Sequence, residues 1–186
     1  TGLPRYGQAV PLGWFKFHSI TKELQLRGEK RISLVQAREI AQECEVADDV
    51  SLFRMLSKFR DIGFVLWCDE NETARRLVVL DVQWMVDTMT HLLCKRSIEE
   101  KKDISRNQRS QWTVAHKHGR FSADLLPELW PDLTAEERIN MISYMEHFGL
   151  CSRLPQHACP DVTYLVPSLL PAVEPGAVIW DTTAQD

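Results

Sequence analysis

No Gly-x-x-x-x-Gly-Lys-Ser/Thr string occurs in these 186 residues. Without it there is neither a backbone cradle nor a lysine placed for the phosphates of a nucleotide. Gly28-Glu29-Lys30-Arg31 comes nearest, but it lacks the first glycine and follows a helical pattern instead of a strand. The chain is therefore expected to be neither an ATPase nor a GTPase. It also lacks a Gly-x-Ser-x-Gly elbow, and no other local pattern points to a Ser or Cys activated as a nucleophile. The pairs Glu99/Glu100 and Glu136/Glu137 suit solvated helix faces and acidic first turns. No enzymatic activity is expected.

Other absences narrow the reading further. No apolar run approaches the ~18 residues that cross a bilayer, and no signal-peptide pattern is present. The first residue is Thr1, not Met, which reads as a piece of a longer protein. The five cysteines (Cys44, Cys68, Cys94, Cys151, Cys159) are odd in number and form no Cys-x-x-Cys pair. That pattern points to reduced thiols in an intracellular, cytoplasmic protein. A basic excess is missing as well, with 22 Lys+Arg against 26 Asp+Glu and a net charge of -4. Domains that grip phosphate backbones usually carry the opposite balance. His147, Cys151, His157 and Cys159 fall within 13 residues, yet their spacings of four, six and two fit no structural zinc pattern. They are read as a helix-end histidine, a core cysteine and two loop residues, and no metal is expected.

What is present is a repeat. Arg31-Ile32-Ser33, an amphipathic run, a helix ending in Phe59-Arg60-Asp61-Ile62-Gly63 and the apolar run Phe64-Val65-Leu66-Trp67 are followed by a polar loop and Leu77-Val78-Val79-Leu80. About 87 residues later the chain reads Arg120-Phe121-Ser122, an amphipathic run, Met145-Glu146-His147-Phe148-Gly149, Leu150-Cys151, a polar loop and Thr163-Tyr164-Leu165-Val166. Gly63 to Val78 and Gly149 to Tyr164 are both 15 residues. Matched order and spacing predict two similar supersecondary units. Each reads as helix, helix and a small antiparallel β-hairpin. The fold class is α+β, mostly helical, with tandem winged-helix-like units.

Local signals place the elements. Residues 1–13 have a linker composition, with Pro4, Pro11 and three glycines. Trp14, Phe17, Ile20 or Thr21, and Leu24 have helical spacing, ended by Gly28. Ser33 with Gln36, and Thr134 with Glu137, are capping boxes. Leu52, Phe53, Leu56, Phe59 and Ile62 form one core stripe, and Ile139, Ile142, Met145 and Phe148 another. Phe64–Cys68 and Arg76–Leu80 predict the first hairpin, and Leu150–Leu154 with Val162–Val166 the second. Asp81 caps a helix through Leu93. The resulting division is 1–13 linker, 14–94 first unit plus connecting helix, 95–118 basic and flexible insertion, 119–171 second unit, and 172–186 the start of a further region. His116 and His118, flanking Lys117 in the insertion, are read as solvated.

A winged helix invites a DNA-binding reading, with the second helix in the major groove and the wing on phosphate. Arg54 and Lys58 would suit the first. Asp69, Glu70 and Glu72 on the wing, and Glu136, Glu137 and Glu146 in the second unit, would repel the backbone. Nucleic acid therefore stands as an alternative, beside a general protein-interaction scaffold.

Four stretches resemble the COR (C-terminal of Roc) region of Roco proteins, specifically its N-terminal half, COR-A. They are Val10-Pro11-Leu12-Gly13-Trp14-Phe15, Ile32-Ser33 through Ile40-Ala41-Gln42-Glu43-Cys44, Phe59–Gly63 with Leu77-Val78-Val79-Leu80-Asp81-Val82-Gln83-Trp84, and Tyr164-Leu165-Val166-Pro167-Ser168-Leu169-Leu170-Pro171. Val82 departs from the pattern, because the family often has Pro there. The resemblance implies a non-catalytic regulatory module that docks on an adjacent Roc GTPase domain and couples its nucleotide state to the rest of the chain. No cofactor is implied for this chain, since GTP, GDP and Mg2+ would belong to the Roc domain. The family's dimerisation resides largely in the second COR half, which leaves a homodimer to the full-length protein. The strand before the Asp-x-x-Trp helix would face the G domain, which makes Val78 the leading interface candidate, followed by Leu77. Arg75 and Arg76 at the hairpin edge could pair with acidic groups on that partner. Trp67, before an acidic turn, is expected to be partly exposed and to serve as a contact aromatic. Trp14 and Trp84 are read as core anchors.

Overall fold

Pro11 has no backbone N–H to donate, and it stands immediately before the first helix, where none is needed. In this computed structural model the described residues are 11–93, 111–113, 115, 117–155 and 163–170. Helix α1 (Leu12–Leu26) buries Phe17 and Thr21. It approaches the end of the next helix so closely that a Cβ on Gly13 would collide with the Cys44 carbonyl. The chain reverses at Gly28 (φ +99°) into strand β1 (Arg31–Ser33). Helix α2 (Leu34–Glu43) opens on the expected capping box: Gln36 N–H donates to Ser33 Oγ and Ser33 N–H to Gln36 Oε1. Helix α3 (Asp49–Asp61) is capped by Asp48 and buries Leu52, Met55, Leu56 and Phe59. Ile62, placed on that stripe by its spacing, is 49% exposed, because it follows the last helical residue as the chain turns into Gly63.

The first hairpin differs from its expected form. Strand β2 (Leu77–Val79) pairs antiparallel with β1, with Ile32 opposite Val78. The run 64–68 adds a single rung on the other side, Leu66 opposite Val79, closed by two hydrogen bonds of 2.9 and 3.0 Å. Helix α4 (Val82–Leu93) follows, with Trp84 N–H donating to the Asp81 carboxylate.

Of the stretch read as a flexible basic insertion, 95–110, 114 and 116 lie outside the described residues. Within it, 111–113, 115, 117 and 118 are helical. Trp112 and Ala115 are buried there, with Trp112 5.6 Å from the Phe121 ring. Residues 1–10 of the expected linker, and the whole of 172–186, also lie outside the described residues.

The second copy runs through β3 (Arg120–Ser122), a 3-10 turn (Ala123–Leu125), α5 (Leu126–Leu129), α6 (Ala135–His147), β4 (Ser152–Arg153) and β5 (Thr163–Leu165). Its strands order as β3-β5-β4, so the second hairpin forms as expected. Thr134 and Glu137 make the second capping box. The buried stripe of α6 is displaced: Ile139 and Phe148 are 58% and 47% exposed, whereas Asn140 through Met145 are all buried. The helix is covered on several sides for more than a turn, which erases the one-sided pattern.

The repeat extends to single hydrogen bonds. Gly63 and Gly149 both take left-handed φ (+77° and +69°). Phe64 N–H reaches the Phe59 carbonyl and Leu150 N–H the Met145 carbonyl, each at 2.8 Å, the long bond of a Schellman cap. Leu80 N–H donates to the Lys30 carbonyl, as Val166 N–H does to that of Gly119. In both copies the last strand lies between the first strand and the run after the glycine. Val78 and Leu80 enter a core with Phe17, Leu52, Leu56 and Phe59. Leu77 and Val79 enter another with Met85, Phe121, Tyr144 and Met145. Side chains alternate across a strand, so β2 is a wall common to both cores. The result is a mostly helical α+β fold with two small antiparallel sheets.

Candidate functional site

The 3-10 turn Ala74–Arg76 leads into β2, and it sets two arginines on the rim of a cleft between the copies. The cleft, of about 610 Å3, is lined by Arg31, Ser33 and Gln36 on one side, Arg75 and Arg76 at its edge, and Glu136, Glu137 and Asn140 of α6 on the other.

Its floor is tied. Arg31 Nε donates to Glu137 Oε1 at 2.6 Å and Nη2 to Oε2 at 3.0 Å. The same guanidinium lies 4.9 Å from the centre of the Trp84 ring. Glu137 also accepts from Thr134 N–H at 2.8 Å, so one carboxylate caps its own helix and grips the other copy. Burial pushes its carboxyl up, but the hydrogen bonds from Arg31 and Thr134 outweigh that and hold it below its ordinary value. Deeper in the cleft, Asn140 is 3% exposed, and its Oδ1 has no hydrogen-bond partner among the described residues. Such an orphan is uncommon, since a buried acceptor left unpaired costs about 1–3 kcal/mol.

The rim is looser. Arg76 Nη1 is 3.8 Å from Glu136 Oε1, and both side chains are more than half exposed. Arg75 is fixed inward: its guanidinium donates to the Asp69 carbonyl at 2.7 and 3.2 Å and lies 5.5 Å from the centre of the Phe53 ring.

The sequence candidates separate accordingly. Arg75, Arg76 and Leu77 line the cleft, whereas Val78 and Trp67 do not. Val78, Trp67 and Leu77 are 0%, 1% and 2% exposed, so in this conformation their side chains pack inside the protein. Trp67, expected at the surface, is covered because the polar loop folds back over it. Its Nε1–H donates to the Arg75 carbonyl at 3.0 Å, Phe53 packs 5.3 Å away, and Asn71 Oδ1 accepts the Thr73 and Ala74 amides. Arg76 is the exposed member of the set. Trp14 and Trp84 are half-buried against the two cores. Of the local His/Cys cluster, Cys151 is buried, and His157 and Cys159 lie outside the described residues.

Sequence reasoning missed Arg31, Glu137 and Asn140. Glu137 was accounted for by its capping role, and its partner lies 106 positions away, beyond any local spacing rule.

Among solved structures the chain is similar to that of Methanosarcina barkeri Roco2 RocCORdC bound to GDP, with a TM-score of 0.63 at 18% identity. The likeness covers 85% of this chain and 43% of that one, so this chain spans less than half of that structure's length. No curated protein matches it significantly. Residues 11–170 match the family described as C-terminal of Roc, COR-A domain. That match spans most of the chain and places it in this family: it is the COR-A domain of a Roco protein.

Proposed function

We propose that this COR-A domain is a non-catalytic regulatory module that docks on the Roc GTPase domain of its own polypeptide and couples its nucleotide state to the rest of the chain. The observation that carries this reading is the family match over residues 11–170. The relative solved as RocCORdC bound to GDP supports it, since there a Roc domain, a COR region and the nucleotide belong to one structure. The nucleotide and its Mg2+ would be held by Roc. Each copy is read as a winged-helix-like unit used for protein contact, over 14–94 and 119–171.

Arg76 is the contact this reading favours. It is exposed, cationic and only loosely engaged, so it can pair with a carboxylate without breaking a strong internal bond. Arg75 and the β2 residues behind it would act by supporting that edge. The buried, unpaired thiols of Cys44, Cys68 and Cys151 fit a reducing, cytoplasmic compartment. Among the described residues no helix is long and apolar enough to cross a membrane. The acid-rich composition favours a protein partner over nucleic acid. Dimerisation is assigned to the full-length protein.

Titrating the chain against its own G domain, loaded with GDP and then with a non-hydrolysable GTP analogue, tests the proposal. Affinities that differ between the two states, and fall in Arg76→Glu, support it. Equal affinities would reduce the module to a tether, because a ligand that binds both states equally shifts neither.

A further inference from the structure

The turn after Trp67 and the end of α6 bring together three donor atoms that no local pattern links. Cys68 Sγ lies 3.7 Å from Glu70 Oε2, and His147 Nε2 lies 3.5 Å from the same oxygen. All three donors fall within 4.8 Å of one another. They open onto a cavity of about 220 Å3 that is also lined by Arg60, Tyr144 and Phe148. Cys68 is buried, while Glu70 and His147 reach it from the surface.

We propose that Cys68, Glu70 and His147 form a binding site for one zinc-class divalent cation, which would clip the loop of the first copy to the last turn of α6 in the second. The geometry carries this. Zinc with ligand bonds of ~2.3 Å to sulfur and ~2.0–2.2 Å to nitrogen and oxygen, set tetrahedrally, holds its donors about 3.3–3.6 Å apart. Two of the three separations here are already within about 0.2 Å of that range, and the third needs a closing movement of the exposed His147 side chain. A thiolate, an imidazole and a carboxylate form a donor set of borderline softness, which favours zinc over magnesium or calcium. Three protein ligands leave a fourth position for water. Arg60, the cation on the cavity wall, is engaged by Asp61 at 3.2 and 3.3 Å and need not oppose the ion. On binding, Cys68 gives its thiol proton to solvent and its sulfur bonds the metal, so each cation bound releases one proton from this residue.

The test uses the whole chain, reduced and freed of metal, titrated with Co2+ and then with Zn2+. The expected result is one cobalt per chain with a thiolate-to-cobalt charge-transfer band, displaced by zinc, and a thermal midpoint that rises with zinc. Cys68→Ser abolishes the band. His147→Gln lowers zinc affinity at least a hundredfold, and because the side chain is a surface group this variant keeps the fold even if Cys68→Ser does not. His118→Gln, an exposed histidine elsewhere, leaves binding unchanged. Absence of the band, or zinc binding of undiminished affinity in His147→Gln, overturns the proposal.

Discussion

The Tyr144 hydroxyl donates to the Leu77 carbonyl oxygen at 2.8 Å, in a buried setting, across 67 positions of sequence. The bond explains why the first hairpin is so short. Leu66 pairs with Val79, and continuing that antiparallel register would set Cys68 against Leu77. In the second copy the corresponding rung forms, with Leu154 N–H donating to the Thr163 carbonyl at 2.9 Å. In the first, Tyr144 takes the Leu77 carbonyl, and the Cys68 backbone amide faces the same hydroxyl. A side chain of the second copy thus completes the sheet of the first.

Tyr144→Phe keeps the ring and removes the donor. The Leu77 carbonyl is then a buried acceptor without its partner, which costs about 1–3 kcal/mol. Urea unfolding should show that loss as a lower midpoint with an unchanged slope. A variant as stable as the parent would mean that water or Cys68 satisfies the carbonyl equally well.

Arg31 and Glu137 form the second tie. Their bond is bidentate, and both side chains are about three-quarters buried. A double-mutant cycle with Arg31→Ala and Glu137→Gln should give a coupling of about 1 kcal/mol, the upper end for partly exposed pairs. The folded carboxyl of Glu137 lies below its ordinary 4.5. Its contribution is therefore complete above that ordinary value and is lost as pH falls through the folded one. The parent should lose more stability than Glu137→Gln on acidification below about pH 4.5, as read by thermal unfolding across that range.

Gly63 and Gly149 have left-handed φ and open space where a Cβ would go. Backbone conformation alone sets the cost of Gly→Ala, about 1–2 kcal/mol at each. Equal losses at the two positions in denaturant melts would confirm that the caps are equivalent. A loss at one alone would contradict the repeat.

Val82 stands at the first position of α4 behind the Asp81 cap and is 43% exposed. Proline is favoured at that position because its fixed φ suits the helix and no partner is lost. Val82→Pro should stabilise the chain by roughly 0.4–1 kcal/mol, seen as a higher thermal midpoint. Destabilisation would mean that the Val82 side chain packs more tightly than its exposure indicates.

Much of this was legible in the chain because it is local chemistry. The two capping boxes, the Asp81 cap and the terminal glycines depend on residues within a few positions of each other, and the repeat is one such local pattern written twice. What escaped depends on distance. Trp67 precedes an acidic turn, and nothing in the sequence says that Asn71 and Arg75 will fold that turn back over it. Asn140 to Met145 read as one face too many, since α6 packs on several sides at once. Val78 is fully buried because β2 is a wall between two cores and not a free face, while Arg76, two positions before it, is exposed.

The coupling reading has one direct measurement. The affinities of the G domain for GDP and for a non-hydrolysable GTP analogue should be determined with and without saturating COR-A domain. Linkage requires that, if nucleotide changes COR-A affinity, COR-A changes nucleotide affinity by the same factor. The account predicts that the ratio of the two affinities shifts by about 5- to 150-fold, the usual range of such couplings, and that Arg76→Glu shrinks the shift. A ratio that stays the same at saturation would contradict it.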